Sequence, residues 1–124
     1  MSLNGMSFLF ENLRAYQKSL SFAEEVLQLT RTPPKGCAVI ADQLRRAAMS
    51  ISANLAEGSG RWHLKDRKQF FWVARASANE CVAHLRFAVT EGLIEAENYP
   101  RLKCDLEVIG KMITALISHG LRRK

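Results

Sequence analysis

QLRRAAMSISANLAEGSG, residues 43–60, decides the fold. Within it Leu44, Ala47, Ala48, Ile51 and Leu55 recur at intervals of three and four, which lays one apolar stripe along a helix. Beside the stripe, Gln43, Ser50, Asn54 and Glu57 follow at intervals of seven, four and three, so they line one flank of the same helix. Gly58 and Gly60 are expected to end it, because glycine takes the left-handed conformation freely. The stretch therefore reads as a helix with polar side chains bordering its buried face.

The same periodicity extends outward. Residues 37–57 form the second helix, with Ile40 extending its stripe. Residues 11–29 form the first, with Leu13, Tyr16, Leu20, Ala23 and Leu27 as its apolar row. Thr32-Pro33-Pro34-Lys35-Gly36 stops that helix, since consecutive prolines remove donors and clash with a continuing turn. A third helix spans residues 64–91 and ends at Gly92. The fourth starts near Tyr99-Pro100, where proline suits a first turn. It carries Leu102, Leu106, Ile109, Ile113 and Leu116 up to His119-Gly120. Short connections make sequential helices antiparallel, so the expected fold is all-α, an antiparallel up-down-up-down four-helix bundle. Residues 1–124 are expected to form one domain, with 1–9 as a flexible N-terminal segment.

The 124 residues suit a single core that removes roughly two-thirds of the unfolded surface from water. With 48% hydrophobic and 24% charged residues the chain has the balance of a globular protein and is too apolar for a disordered one. No apolar run reaches the ~18 residues a membrane helix needs, and Met1-Ser2-Leu3-Asn4-Gly5 lacks the pattern of a signal peptide. A cytoplasmic protein without membrane contact is expected. Cys37, Cys81 and Cys104 are odd in number and set among apolar residues, which predicts buried, reduced thiols. Cys81 and His84 share a helix face, but two ligands fall short of a metal site. No metal or cofactor is expected.

The third helix has an unusually wide apolar arc: Phe70, Phe71, Ala74, Ala78, Cys81, Val82, Leu85, Ala88 and Val89. Lys68, Arg75, Asn79 and Arg86 share a narrow strip opposite, with Trp72 at its edge. Such an arc suits a central helix touching two neighbours. It also suits one that packs partly on another subunit, and Trp72 favours the latter. Phe71 and Trp72 are the expected interface residues.

On this helix Ser77, Glu80 and His84 form a second polar flank. Facing the flank of the second helix, it predicts a structural network of Gln43, Arg46, Ser50, Asn54, Ser77 and Glu80. A partly buried Glu80 would take donors from its partners and set the helix register. Catalysis is the weaker reading. Ser77, His84 and Glu80 are the right residue types, but they lie within two turns of one helix, and no oxyanion hole is marked. Glu80 lacks a histidine three residues on, as a carboxylate-bridged metal centre requires. Gly58-Ser59-Gly60 lacks the lysine and hydroxyl of a phosphate loop. No catalytic residue is assigned.

QLRRAAMSISANLAEGSGR followed by FFWVARASANECVAHL resembles the four-helix bundle proteins encoded in intervening sequences of bacterial large-subunit ribosomal RNA genes. The resemblance covers residues 13–117. Its most specific parts are Gln43-Leu44-Arg45-Arg46-Ala47-Ala48, Ser50-Ile51, Ala53-Asn54-Leu55-Ala56-Glu57-Gly58 and Ala74-Arg75-Ala76-Ser77, with Glu80 three positions later. It implies an antiparallel bundle that assembles as a ring, commonly a homopentamer, with no established enzymatic activity. One departure is His63, where such sequences often offer Ser or Thr as a helix cap.

The formal net charge of +6 is unevenly placed. In an up-down-up-down bundle the second loop and the C-terminus share one end. That end would gather Arg61, Lys65, Arg67 and Lys68 with Arg122, Arg123 and Lys124. Helix-dipole compensation and solubility are one explanation. A ring would repeat the pole around one face and favour salt-sensitive binding of nucleic acid. Trp62 lies within this patch and could stack on a base, although anchoring the loop to the bundle is the expected role. The leading expectation is a non-enzymatic, ring-forming accessory protein for RNA or another nucleic acid. An oligomeric adaptor for a protein partner is the alternative.

Overall fold

The computed structural model describes residues 9–120, so Arg122, Arg123 and Lys124, and all but the last residue of the expected N-terminal segment, lie outside the described residues. A 3-10 turn, Leu9–Asn12, leads into α1 (Arg14–Leu29), α2 (Ala38–Ser59), α3 (Leu64–Thr90) and α4 (Tyr99–His119). A second 3-10 turn, Ala96–Asn98, precedes α4. There are no strands among the described residues.

The helices form a four-helix bundle in which α1 packs on α2, α2 on α3, α3 on α4, and α4 back on α1. Chain sense follows from side-chain contacts. Ser50 meets Ser77, whereas Gly58, later in α2, meets Phe71, earlier in α3. Arg75 reaches Thr114, and Arg86 lies over the Tyr99 ring. Lys18 pairs with Asp105 and Glu25 with Arg101. In all three seams later residues of one helix face earlier residues of the other, so each pair runs in opposite senses. α4 therefore ends at the end of the bundle from which α3 starts.

The core is drawn from all four helices. Leu44, Ile51, Leu55, Phe71, Leu85, Leu102, Ile109 and Ile113 are almost wholly buried. The stripes of α2 and α4 follow the predicted spacing except at their margins, where Ile40 and Leu116 are only partly buried and Ala41 and Ile117 are buried, but α1 is turned. Its buried row is Ala15, Ser19, Phe22, Ala23 and Val26, with Leu20 exposed and Leu13, Tyr16 and Leu27 at the margins. Two apolar rows compete on that helix, and the row holding Phe22 fills the space between α2 and α4. Cys37 and Cys81 are buried, but Cys104 is exposed, a correction to the expected burial of all three.

The ends of the helices also differ from expectation. Gly58 does not terminate α2: it lies within the helix, buried, and Gly60 keeps a negative φ of −86°. Gly58 serves close approach instead. A β-carbon there would stand 2.8 Å from the Phe71 ring and 2.9 Å from Cβ of Phe70. The left-handed glycines are Gly36, Gly92 and Gly120, which shape the first loop, the turn after α3 and the end of α4. Two bonds tie the first loop to the bundle. Arg45 Nη1 donates to the carbonyl of Thr30 at 3.2 Å, and Cys37 Sγ to that of Glu91 at 3.5 Å.

Candidate nucleic-acid interface

The polar flanks of α2 and α3 meet in a smaller network than expected. Ser50 Oγ and Ser77 Oγ lie 2.9 Å apart, and Asn54 Nδ2 donates to the Ser50 hydroxyl at 3.0 Å and to its carbonyl at 2.8 Å. The two hydroxyls satisfy each other across the seam, so no carboxylate is needed there. Glu80 stays outside, its side chain 58% exposed, because desolvating a carboxylate costs more than this seam offers. Gln43 is exposed, and Arg46 turns to Asp42 on its own helix at 2.8 Å. Gln43, Arg46 and Glu80 are therefore not part of the network.

The same geometry disposes the would-be catalytic residues. Ser77 is engaged by Ser50, and buried His84 Nε2 has no hydrogen-bond partner, with Glu80 Oε2 3.6 Å away. Nucleophile and base are not paired. Among the described residues no three His, Cys, Asp or Glu side chains could hold a metal together. No described helix is long and apolar enough to cross a membrane.

The basic segment lies on the turn between α2 and α3 and on the first turns of α3. Its four cations divide into two kinds. Arg61 Nη2 pairs with Glu57 at 2.6 Å, and its guanidinium lies 4.7 Å from the centre of the Phe70 ring. Arg67 Nε donates to the Arg61 carbonyl at 2.7 Å. These two arginines hold the turn together. The side chains of Lys65 and Lys68 are exposed and make no hydrogen bond or ion pair among the described residues. They line an open concavity of about 440 Å³ together with Gln69, Trp72, Val73 and Ala76.

Trp62 is 88% exposed, so it does not anchor the turn as expected. The expected interface pair also separates. Phe71 is 1% exposed and belongs to the core against Gly58, so it cannot face another subunit. Trp72 is 58% exposed and lies on the outward face of α3 with Val73, Ala76, Ala83 and Phe87. Val73 and Phe87 were missed because the side opposite the arc was assigned to Lys68, Arg75, Asn79 and Arg86, a strip that lies only about 100° from the arc's centre. At 100° per residue Val73 and Phe87 fall with Gln69, Ala76 and Glu80 on the opposite side from Ala74 and Ala78.

A further groove of about 310 Å³ between α1 and α4 is lined by Lys18, Glu25 and Asp105 among others. Its charges compensate internally, as Lys18 pairs with Asp105 at 3.5 Å.

Comparison with known proteins places these features in a family. The crystal structure of a protein of unknown function from the S23 ribosomal protein family of Bacteroides thetaiotaomicron superposes with a TM-score of 0.76 at 26% identity. The match covers 83% of this chain and 97% of that one. No curated protein matches the sequence significantly. The model of the 23S rRNA-intervening sequence proteins matches residues 11–115, and neither description names an enzymatic activity. With its four-helix bundle and that match over most of its length, the chain belongs to the 23S rRNA-intervening sequence protein family.

Proposed function

We propose that this chain is a non-enzymatic accessory protein of the cytoplasm, which forms a ring and binds RNA through a basic pole repeated once per subunit. The observation that carries the reading is the position of Lys65 and Lys68. Cations at a helix C-terminus complement the dipole, as Arg61 does at the end of α2. Lys65 and Arg67 stand at the opposite, positive end of α3, where His63 supplies no side-chain cap and Asp66 is the sole acid in the first turn. Helix stability alone disfavours them there. Uncapped amide groups and two unengaged lysines form an anion-attracting surface instead. α4 runs back to the same end, and Arg122, Arg123 and Lys124 follow it in sequence.

A ring gives this surface its strength. The exposed stripe of Trp72, Val73, Ala76, Ala83 and Phe87 is the surface proposed to close it, since contiguous apolar area in water favours association. Copies around an axis present one basic pole each, and weak phosphate contacts then act together. Five subunits is the number implied by the family resemblance.

Two measurements test the reading. Light scattering on the purified protein should give an integral multiple of the chain mass, and Phe87→Asp should lower it. Binding of generic RNA across a salt series should lose affinity steeply. Lys65→Gln/Lys68→Gln should flatten that slope, by roughly 0.7 per lost single-strand phosphate contact. RNA binding indifferent to these lysines would remove the basic pole from the account.

The 71% exposure of Val39 and 60% of Phe87 favour a second reading, an oligomeric adaptor for a protein partner. One stoichiometric protein retained after nuclease treatment, with no affinity for RNA, would replace the first reading by the second.

A further inference from the structure

Trp62 is the most exposed large apolar side chain among the described residues, and hydrogen bonds hold the turn that carries it. The Arg61 amide donates to the Gly58 carbonyl at 3.1 Å, and the Arg61 carbonyl accepts from Arg67 Nε at 2.7 Å. The Arg61 guanidinium is itself pinned between Glu57 and the Phe70 ring. On the far side of Trp62, the His63 carbonyl accepts the Arg67 amide at 3.1 Å, the first helical bond of α3. Backbone on both sides of the tryptophan is thus tied down while the indole stands 88% exposed. An apolar ring of this size gains nothing from water, and the turn does not fold it back onto the bundle.

We infer that Trp62 is a stacking platform for an unpaired base, which makes the basic pole selective for single-stranded over duplex nucleic acid. The inference rests on the RNA-binding reading above and specifies its ligand. Charge complementarity identifies the occupant. Lys65 follows Trp62 by three residues and Lys68 by six, both with unengaged side chains, so a strand held by the lysines runs along the segment that carries the indole. Every base offers a π-face, so the contact needs no sequence. A duplex keeps its bases stacked on each other and offers only phosphates to the lysines. The two arginines of the turn act as positioning residues that hold the platform.

The chain has two tryptophans, so Trp72→Phe, which keeps an aromatic ring in the stripe proposed to close the assembly, leaves Trp62 as the single indole reporter, provided that light scattering and oligouridylate affinity match the parent. In that background an oligouridylate of about twelve nucleotides should quench the emission, and a blunt-ended RNA duplex of equal phosphate number should not. Trp62→Ala should weaken oligouridylate binding at least about fivefold, the lower end for one base–aromatic stack, and leave duplex binding unchanged. Equal binding of both ligands by Trp62→Ala and the parent overturns the inference while the salt-sensitive basic pole stands. So does an indole already blue-shifted and shielded from iodide in the free protein, which would mean that a neighbouring subunit covers it. Absence of all RNA binding with Lys65 and Lys68 intact removes the pole and the platform together.

Discussion

Gly58 of α2 and Phe71 of α3 touch so closely that a β-carbon on the glycine would lie 2.8 Å from the phenyl ring. Alanine normally improves a helix over glycine by about 1 kcal/mol. Here the ring is 1% exposed and the second obstacle is Cβ of Phe70, so neither neighbour can swing aside. Gly58→Ala should therefore lower stability by about 1–3 kcal/mol in urea denaturation, as overpacking does. A more stable variant would show that the α2–α3 approach is looser than these distances.

Ser50 and Ser77 are each other's partners across the same seam, 2.9 Å apart, with Ser77 buried. Removing the Ser50 hydroxyl leaves buried Ser77 short of a partner, at a cost of about 1 kcal/mol, whereas Ser50 without Ser77 still accepts from Asn54 and should lose less. Removing both should cost less than the sum of the single changes, giving a coupling of at least 0.5 kcal/mol in a double-mutant cycle. Additive effects would deny the pair a role in register.

Lys65 is expected to trade stability for binding. It is the second residue of α3, where the dipole favours an acid. Lys65→Glu should raise stability by a few tenths to about 1 kcal/mol at low salt while weakening RNA binding. The effect of Lys68→Glu on stability should be smaller, since it lies a turn further along. A drop in melting temperature with Lys65→Glu would contradict the account of the α3 terminus.

The three thiols should differ sharply. Burial, with the nearby Glu80 carboxylate adding to it, pushes the Cys81 thiol from 9.0 to about 12. Cys37 is buried and Cys104 exposed. An aromatic disulfide reagent at pH 8 should titrate one thiol in the native protein and three in denaturant. Because the folded pKa of Cys81 is raised, its contribution to stability is whole below pH 9 and is lost as pH rises from about 9 to about 12. An unfolding free energy that rises through that window would refute the burial of this thiol in solution.

Much of the fold was readable along the chain because burial at intervals of three and four needs only local order to be recognised. Residues 43–60 show this best: Leu44, Ala47, Ala48, Ile51 and Leu55 are all buried as their spacing requires. Where two apolar rows compete, spacing cannot choose. On α1 the row with Phe22 and Val26 turned inward, and Leu20 was left outside. On α3 an exposed row of Val73, Ala76, Ala83 and Phe87 lies opposite the buried arc, where a polar strip was expected.

The sequence by itself determined four amphipathic helices, their approximate ends, and the concentration of positive charge around residues 61–68, since periodicity and charge are properties of neighbours in the chain. Only the tertiary structure decided what individual side chains do. It packed Gly58 against Phe71, left Glu80 in water, and set Arg61 and Arg67 to brace the segment that exposes Trp62. Those outcomes depend on which helix faces stand within a few ångströms of each other. That is set by close packing of distant segments, and spacing along one helix carries no record of it.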